Sequence, residues 1–460
     1  MVLLSALTSA GCVSPAPSTE SFALAGVSTA LSCHRVADRY ARLIRQADVA
    51  SAYGQPLAGA PWFRVLRGWA DWPVRTDEER SQWLQAAATL GQTVWRAELR
   101  NAGAPALMAD MQRCAKQQLP AVSDESQWQA WRQSARFDSE YVTWQRMLGV
   151  YPLSRFGLRA GVRAWQQQFL ADYGPRPDQA AWSRWQPQVS REVAQRVLAQ
   201  APVLPGLAPP SLDQFEVWLR QHAPRLRVQM ASSADRPGQP VWREDLAFDV
   251  SRPVLHVQLL PGRDRGAAIW QLVFTVWFAG RAPVSSVDPY AGALDGVVWR
   301  VMLDAKGRVR MRDSIHSCGC YHLVFPPDAV AAAPGLDEPP LLPEVVAGQA
   351  RVELALRAVD HMLVDVRPVA ERPATGQALP LADYNALLAM PTPSGRSRSL
   401  FDARGLVTAS ARPERWYLWP SGVLSPGAMR IWGRHATAFV GTRHFDDPDL
   451  MATLLVDDGR

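Results

Sequence analysis

The sequence predicts an α+β fold: a helical N-terminal region, then a mainly antiparallel β region, then a C-terminal tail of short elements. Three observations carry this. Apolar residues recur at three- and four-residue spacing through much of 33–205. After about residue 240, short apolar runs rich in β-branched and aromatic residues are separated by turn signals. Residues 414–450 mix turns with short strand-like pieces. The first pattern buries one face of a helix, and the second fits strands paired through tight turns. A chain of 460 residues, 48% hydrophobic and 20% charged, has room for two or three domains or one large domain with insertions.

In the helical region, SQWLQAAATLGQTVWRAELRNA (81–102) and REVAQRVLAQA (191–201) show the amphipathic period. WQRMLGVYPLSRFGLRAGVRAWQQQFL (144–170) shows it with an expected break near Pro152. SLDQFEVWLRQHAP (211–224) starts with Ser211 and carries Gln214 three residues on, a helix-start signature. RPVLHVQLLP (252–261) and AIWQLVFTVWFAG (268–280) read as strands joined by GRDRG (262–266). GVVWRVMLDAKGRVRMRDSIHSCGCYHLVFP (296–326) reads as a second hairpin turning at DAKG (304–307). VELALRAVDHMLVDVRP (352–368) reads as one further strand, and LADYNALLAM (381–390) as a short helix. The expected division is 1–12 signal, 13–32 tether, 33–205 helical, 206–330 α+β with the hairpins, 331–350 Pro-rich linker, and 351–460 a C-terminal α+β region packing on the sheet.

All the basic residues except Lys116 and Lys306 are arginines, scattered among carboxylates despite a net charge of +6. No basic run marks a nucleic-acid arm, so no nucleic-acid partner is expected. There is also no glycine-rich phosphate loop and no G-x-S-x-G elbow.

The N-terminus MVLLSALTSAGC is a short apolar run ending in small residues and Cys12. Ser9-Ala10-Gly11-Cys12 resembles the cleavage box of bacterial lipoproteins, with Ser9 where such boxes usually carry Leu and no Lys or Arg before the run. The resemblance implies cleavage and lipidation at Cys12. It also implies, with Val13 next, an outer-membrane protein facing the periplasm and held by its lipid. In that oxidising compartment the helix-like segments around Cys33 and Cys114 are expected to share a disulfide.

DSIHSCGCYHLVFPP (313–327) gathers His316, Cys318, Cys320 and His322 at alternate positions. A strand would put all four on one face, but roughly 20 Å apart from end to end at about 3.3 Å per residue. One metal ion can collect them only if the chain bends, and Gly319 is the residue that permits a bend. Thiolate and imidazole ligands point to zinc or copper. His361 and His435 are candidate outside ligands, and Asp313 and Asp360 candidate partners that orient the imidazoles. Two other readings stay open: a redox-active Cys318–Cys320 pair, and buried thiols and histidines that only stiffen a hairpin.

The fragments DGVVWRVMLDAKGRVRMRDSIHSCGCYHLVFP, TWQRMLGVYPLSRFGLRAGVRAW and SPGAMRIWGRHATAFVGTRHFDDPDL resemble those of a family of uncharacterised proteobacterial, lipoprotein-like proteins with a DSIHxCGCYH motif. That resemblance implies an envelope protein and transfers no mechanism. The expected function is therefore metal binding at the cluster, with metal-dependent hydrolysis as its possible chemistry. The alternatives are a non-catalytic envelope scaffold and a thiol-redox protein.

Overall fold

The computed structural model describes residues 27–174, 181–369 and 375–457. The lipidation candidate Cys12 and residues 13–26 of the expected tether lie outside them. Helices dominate the first half: α1 (Val27–Ala47), α2 (Asp77–Asn101), α3 (Met108–Gln118), α4 (Glu125–Ser134), α5 (Thr143–Leu148), α6 (Tyr151–Asp172), α7 (Arg191–Ala199) and α8 (Leu212–His222). Short helices α9 (Arg415–Leu418) and α10 (Leu450–Leu454) follow in the tail.

One ten-stranded sheet organises the rest. Its strands are β1 (Trp182–Gln188), β2 (Arg225–Gln229), β3 (Leu255–Asp264), β4 (Ala267–Arg281), β5 (Gly292–Leu303), β6 (Val309–His316), β7 (Leu323–Phe325), β8 (Val352–Leu356), β9 (Leu363–Pro368) and β10 (Gln377–Asp383). Their order across the sheet is β7-β6-β5-β4-β3-β10-β1-β2-β8-β9. The pairs β10–β3, β10–β1 and β8–β2 are parallel; the others are antiparallel. The predicted α+β class is what the chain adopts.

The long central strands are buried on both faces, which is why β4 reads as an unbroken apolar run. Trp270, Leu272, Phe274, Val276 and Phe278 join one core with α7 and α8, while Val273 and Trp277 join the other with α1–α4 and the tail. Side chains alternate across a strand, so one sequence supplies both layers. The second core includes Cys33 and Cys114, which form a disulfide between α1 and α3. A buried ion pair, Arg64 with Glu98, lies beside it, with Tyr40 hydrogen-bonded to the same carboxylate.

Some local expectations hold: the Ser211 hydroxyl accepts from the Gln214 N–H on α8. Asp304–Gly307 makes the β5–β6 turn, with Gly307 at φ 77°. The α5–α6 break does fall near Pro152 as expected, at Gly149–Val150: Val150 takes the left-handed conformation, and Pro152 itself is tolerated in the first turn of α6. A reciprocal cap of Thr76 and Glu79 that the sequence reading did not name starts α2.

Others need correction. The region 33–205 is not purely helical: Gln55–Leu57 pairs with Ala60–Val65, and β1 joins the main sheet. Helix α1 already begins at Val27, inside the segment expected to be a tether. The β3–β4 reversal occupies only Arg265 and Gly266, both at positive φ, with the strands running on through Asp264 and Ala267. Residues 352–368 form the β8–β9 hairpin instead of one strand, reversing through Val359 and His361 at positive φ. Residues 331–350 are tied in: Val330–Ala332 pairs with Leu455–Asp457, and Leu341 and Val346 are buried. Among the described residues no helix is long and apolar enough to cross a membrane.

Candidate functional site: a buried thiol pair beside a shared carboxylate

Strand β6 ends at His316, so the expected one-face parity stops there. Beyond it the chain turns sharply. The Gly319 N–H donates to the His316 carbonyl at 2.7 Å, and the His316 N–H donates to the Cys320 carbonyl at 2.9 Å. Gly319 sits at φ 99° and Tyr321 at φ 63°. Gly319 is needed twice over: the conformation is one L-residues avoid, and a Cβ there would lie 2.3 Å from the Ala436 carbonyl oxygen. The tail fixes the turn from outside. The Arg430 N–H donates to the Ser317 carbonyl at 2.8 Å, and its Nε donates to the Cys318 carbonyl at 3.0 Å.

The turn brings Cys318 and Cys320 within hydrogen-bonding reach of each other, both as free thiols. The Cys320 thiol, donating to Cys318, holds Cys318 down to about 6; burial works against this, and His316 and Arg412 assist. The same hydrogen bond pushes Cys320 well above the ordinary thiol range, as do burial and the negative charge on Cys318. The pairing biases Cys318 toward its thiolate, with Cys320 as the hydrogen-bond donor, the electronic condition for a nucleophilic sulfur.

The expected histidines part company. His316 Nδ1 lies 3.6 Å from Asp295 Oδ1, and His361 Nδ1 lies 2.9 Å from Asp295 Oδ2. Arg412 Nη2 is 3.4 Å from the same carboxylate. Burial would raise Asp295, but Arg412 and the two imidazoles keep it well below the usual carboxylate range. His361 also lies 3.5 Å from Asp235 and stacks on Phe278 with ring centroids 4.0 Å apart. Its expected partner Asp360 instead pairs with Arg357, whose fork reaches forward three residues within the hairpin turn. His322 donates to Asp313 at 3.0 Å, and Arg300 claims the same carboxylate. His435 is buried among Trp432 and Phe445, with burial and then Arg430 driving its pKa down to about 3. Among the described residues no three His, Cys, Asp or Glu side chains converge on a point fit for a metal ion. Only the two sulfurs of the original cluster come together.

Comparison with protein-family models, curated proteins and solved structures gives no match. The geometry stands alone.

The thiols open onto a cleft of about 320 Å³. Cys318, Gly319, Cys320 and Tyr321 form part of its wall, and α6 lies along another side with Leu158, Val162 and Trp165. The Trp165 and Tyr321 rings meet at 4.8 Å. Glu414 and Glu338 also line it, with Arg443 beside Glu338. Glu414 is lifted to about 7 by burial and then by the charge on Cys318.

Asp295, Asp235, Arg412, Glu414 and Arg430 were not singled out from the sequence. Asp295 left one usable signal: a carboxylate within the apolar strand run LDGVVW. The others come from turns and the tail, where no periodicity says what they face.

Proposed function

We propose that the chain is a thiol–disulfide exchange protein working through Cys318 and Cys320. The observation that carries this reading is the pairing of the two free thiols at the Gly319 turn, on the wall of a cleft. The Cys318 thiolate attacks one sulfur of a substrate disulfide, forming a mixed disulfide and expelling the other substrate sulfur as a thiolate. Cys320 gives its proton to Glu414 and attacks Cys318 Sγ. The Cys318–Cys320 disulfide forms and the second substrate thiolate leaves. The substrate gains two electrons and two protons. Glu414 passes the Cys320 proton to one departing thiolate, and solvent, which took up the proton when Cys318 ionised, returns one to the other. His316, backed by Asp295, supports the Cys318 thiolate electrostatically. The reverse sequence oxidises a dithiol, and the relative potentials set the direction.

The reading extends to place. The Cys33–Cys114 disulfide suits an oxidising compartment, and Cys12 in its small-residue box suits a lipid anchor in the outer membrane, facing the periplasm. Both agree with the lipoprotein-like family resemblance.

The test uses the full chain carrying Cys12→Ser, treated with an aromatic disulfide reagent. With both thiols present, the adduct on Cys318 resolves to an internal disulfide and a second reporter thiol is released. With Cys320→Ser the reaction stops at a stable adduct on residue 318. Equal, slow labelling of both cysteines with no internal disulfide would overturn the proposal.

Zinc or copper is the second reading, now confined to the two sulfurs, which suit a soft ion such as copper(I). Elemental analysis of protein grown with added metal, with and without Cys318→Ser and Cys320→Ser, separates the two. Stoichiometric metal lost in the variants supports the metal reading.

A further inference from the structure

The segment from Tyr141 to Ala171 contains no Asp or Glu, yet carries Arg146, Arg155, Arg159 and Arg163. It forms α5 and α6. No residue of α5 is fully buried, and Phe169 alone is fully buried on α6. Helix α6 turns Leu158, Val162 and Trp165 toward the thiol cleft. Leu153, Phe156, Arg163 and Leu170 are exposed on its other face, and Arg155, one heptad before Val162, is exposed at the edge of the cleft-facing stripe. On α5, Met147 is 73% exposed and Leu148 69%. Helix α9 extends this surface: Trp416, 71% exposed, shares a second cavity with Trp144 and Leu148. Leu and Met alone would suit a protein partner. Here they are mixed with exposed tryptophans and with arginines that no acidic residue of their own segment neutralises. Among the described residues Arg159 is the one α6 arginine that reaches a carboxylate, Asp337 at 3.1 Å. Long arginine stems lie in an apolar layer while their heads reach an anionic plane, and indole rings settle at the boundary.

We infer that the α5–α6–α9 face docks peripherally on an anionic lipid bilayer, with its apolar side chains at the headgroup boundary and Arg155 and Arg163 against lipid phosphates. Charge complementarity selects this occupant: the Tyr141–Ala171 segment carries four arginines and no carboxylate, so a second copy of the chain would set two arginine-bearing helices against each other. Because α6 also walls the cleft, docking places the thiols beside the membrane surface. The inference does not depend on what the thiols do.

The test uses the full chain with Cys12→Ser, so that residue 12 carries no lipid, sedimented with phosphatidylcholine vesicles with and without phosphatidylglycerol. Binding is expected to rise with phosphatidylglycerol and to fall with salt. Arg155→Gln with Arg163→Gln should weaken it about thirtyfold, at about 1 kcal/mol per basic residue near an anionic surface. Leu153→Ser with Phe156→Ser should weaken binding to both vesicle types. These positions are exposed, so thermal unfolding should not change. A blue shift of tryptophan fluorescence on binding, lost in Trp144→Phe with Trp416→Phe, places the rings at the boundary. Two results would overturn the inference. One is undiminished binding in the α6 variants, which would assign binding to the N-terminal apolar run. The other is concentration-dependent dimerisation abolished by the same substitutions without vesicle binding.

Discussion

Gly319→Ala tests the turn on which the thiol pair depends. At φ 99° any L-residue pays for the left-handed conformation, on the order of 1–2 kcal/mol. The added Cβ would also sit 2.3 Å from the Ala436 carbonyl oxygen, which is backbone and cannot rotate away. Forcing a methyl group into a packed site typically adds about 1–3 kcal/mol, so a total near 3 kcal/mol is expected. Gly59→Ala is the internal control. Gly59 has φ 69° with nothing within 4 Å of a built Cβ, so that substitution carries the backbone cost alone. Urea unfolding of both variants, with equal m values, should show Gly319→Ala about 1–3 kcal/mol less stable than Gly59→Ala. Relief of the clash moves the turn, so Cys318–Cys320 disulfide formation by oxidised glutathione should slow at least tenfold in the first variant alone. Equal stability of the two variants, with unchanged oxidation, would refute the argument that Gly319 holds the sulfurs together.

Three further outcomes follow from the same geometry. Asp295→Asn keeps the shape but removes the charge shared by His316, His361 and Arg412; breaking such a buried network should cost about 3–5 kcal/mol in chemical unfolding. Alkylation of Cys318 by iodoacetamide should rise through pH 6 and plateau below pH 8, whereas in Cys320→Ser the midpoint should move upward because the donated hydrogen bond weakens. Acid stability should report two buried histidines. Burial pushes His256 down to about 4, and burial with Arg430 pushes His435 down to about 3. Both stay neutral when folded but protonate near 6.5 when unfolded. Their contribution is therefore complete above pH 6.5 and is lost as the pH falls toward 3–4, at about 3 kcal/mol for His256 and about 5 kcal/mol for His435. His256→Gln should flatten that slope in pH-dependent urea titrations.

The class of fold was legible because it rests on periodicity, and periodicity survives in α2, α8 and the β3–β6 strands. The β5–β6 turn, the α8 cap and the Cys33–Cys114 bridge were legible because Gly307, Ser211 and a matched pair of helical cysteines carry local signals. The parallel insertion of β10 between β3 and β1 was not, since it joins segments more than a hundred residues apart with no local mark. At the site, the bend at Gly319 was readable from the residue itself. The partners were not. Alternating parity placed His316 and His322 with the cysteines, but the strand ends at His316 and buried carboxylates take the imidazoles. Asp295 captures His316 and His361, and Asp313 captures His322. Which carboxylate reaches which imidazole is set by sheet register and by the tail, and neither is written in the seven residues of the motif.

The most direct test is a redox titration of the full Cys12→Ser chain in glutathione buffers, read by peptide mass spectrometry after acid quenching. The account predicts a Cys318–Cys320 linked peptide that appears and disappears reversibly with the glutathione ratio, while Cys33–Cys114 stays bridged throughout. Cys318 and Cys320 remaining as free thiols at every ratio, in folded protein, would contradict it.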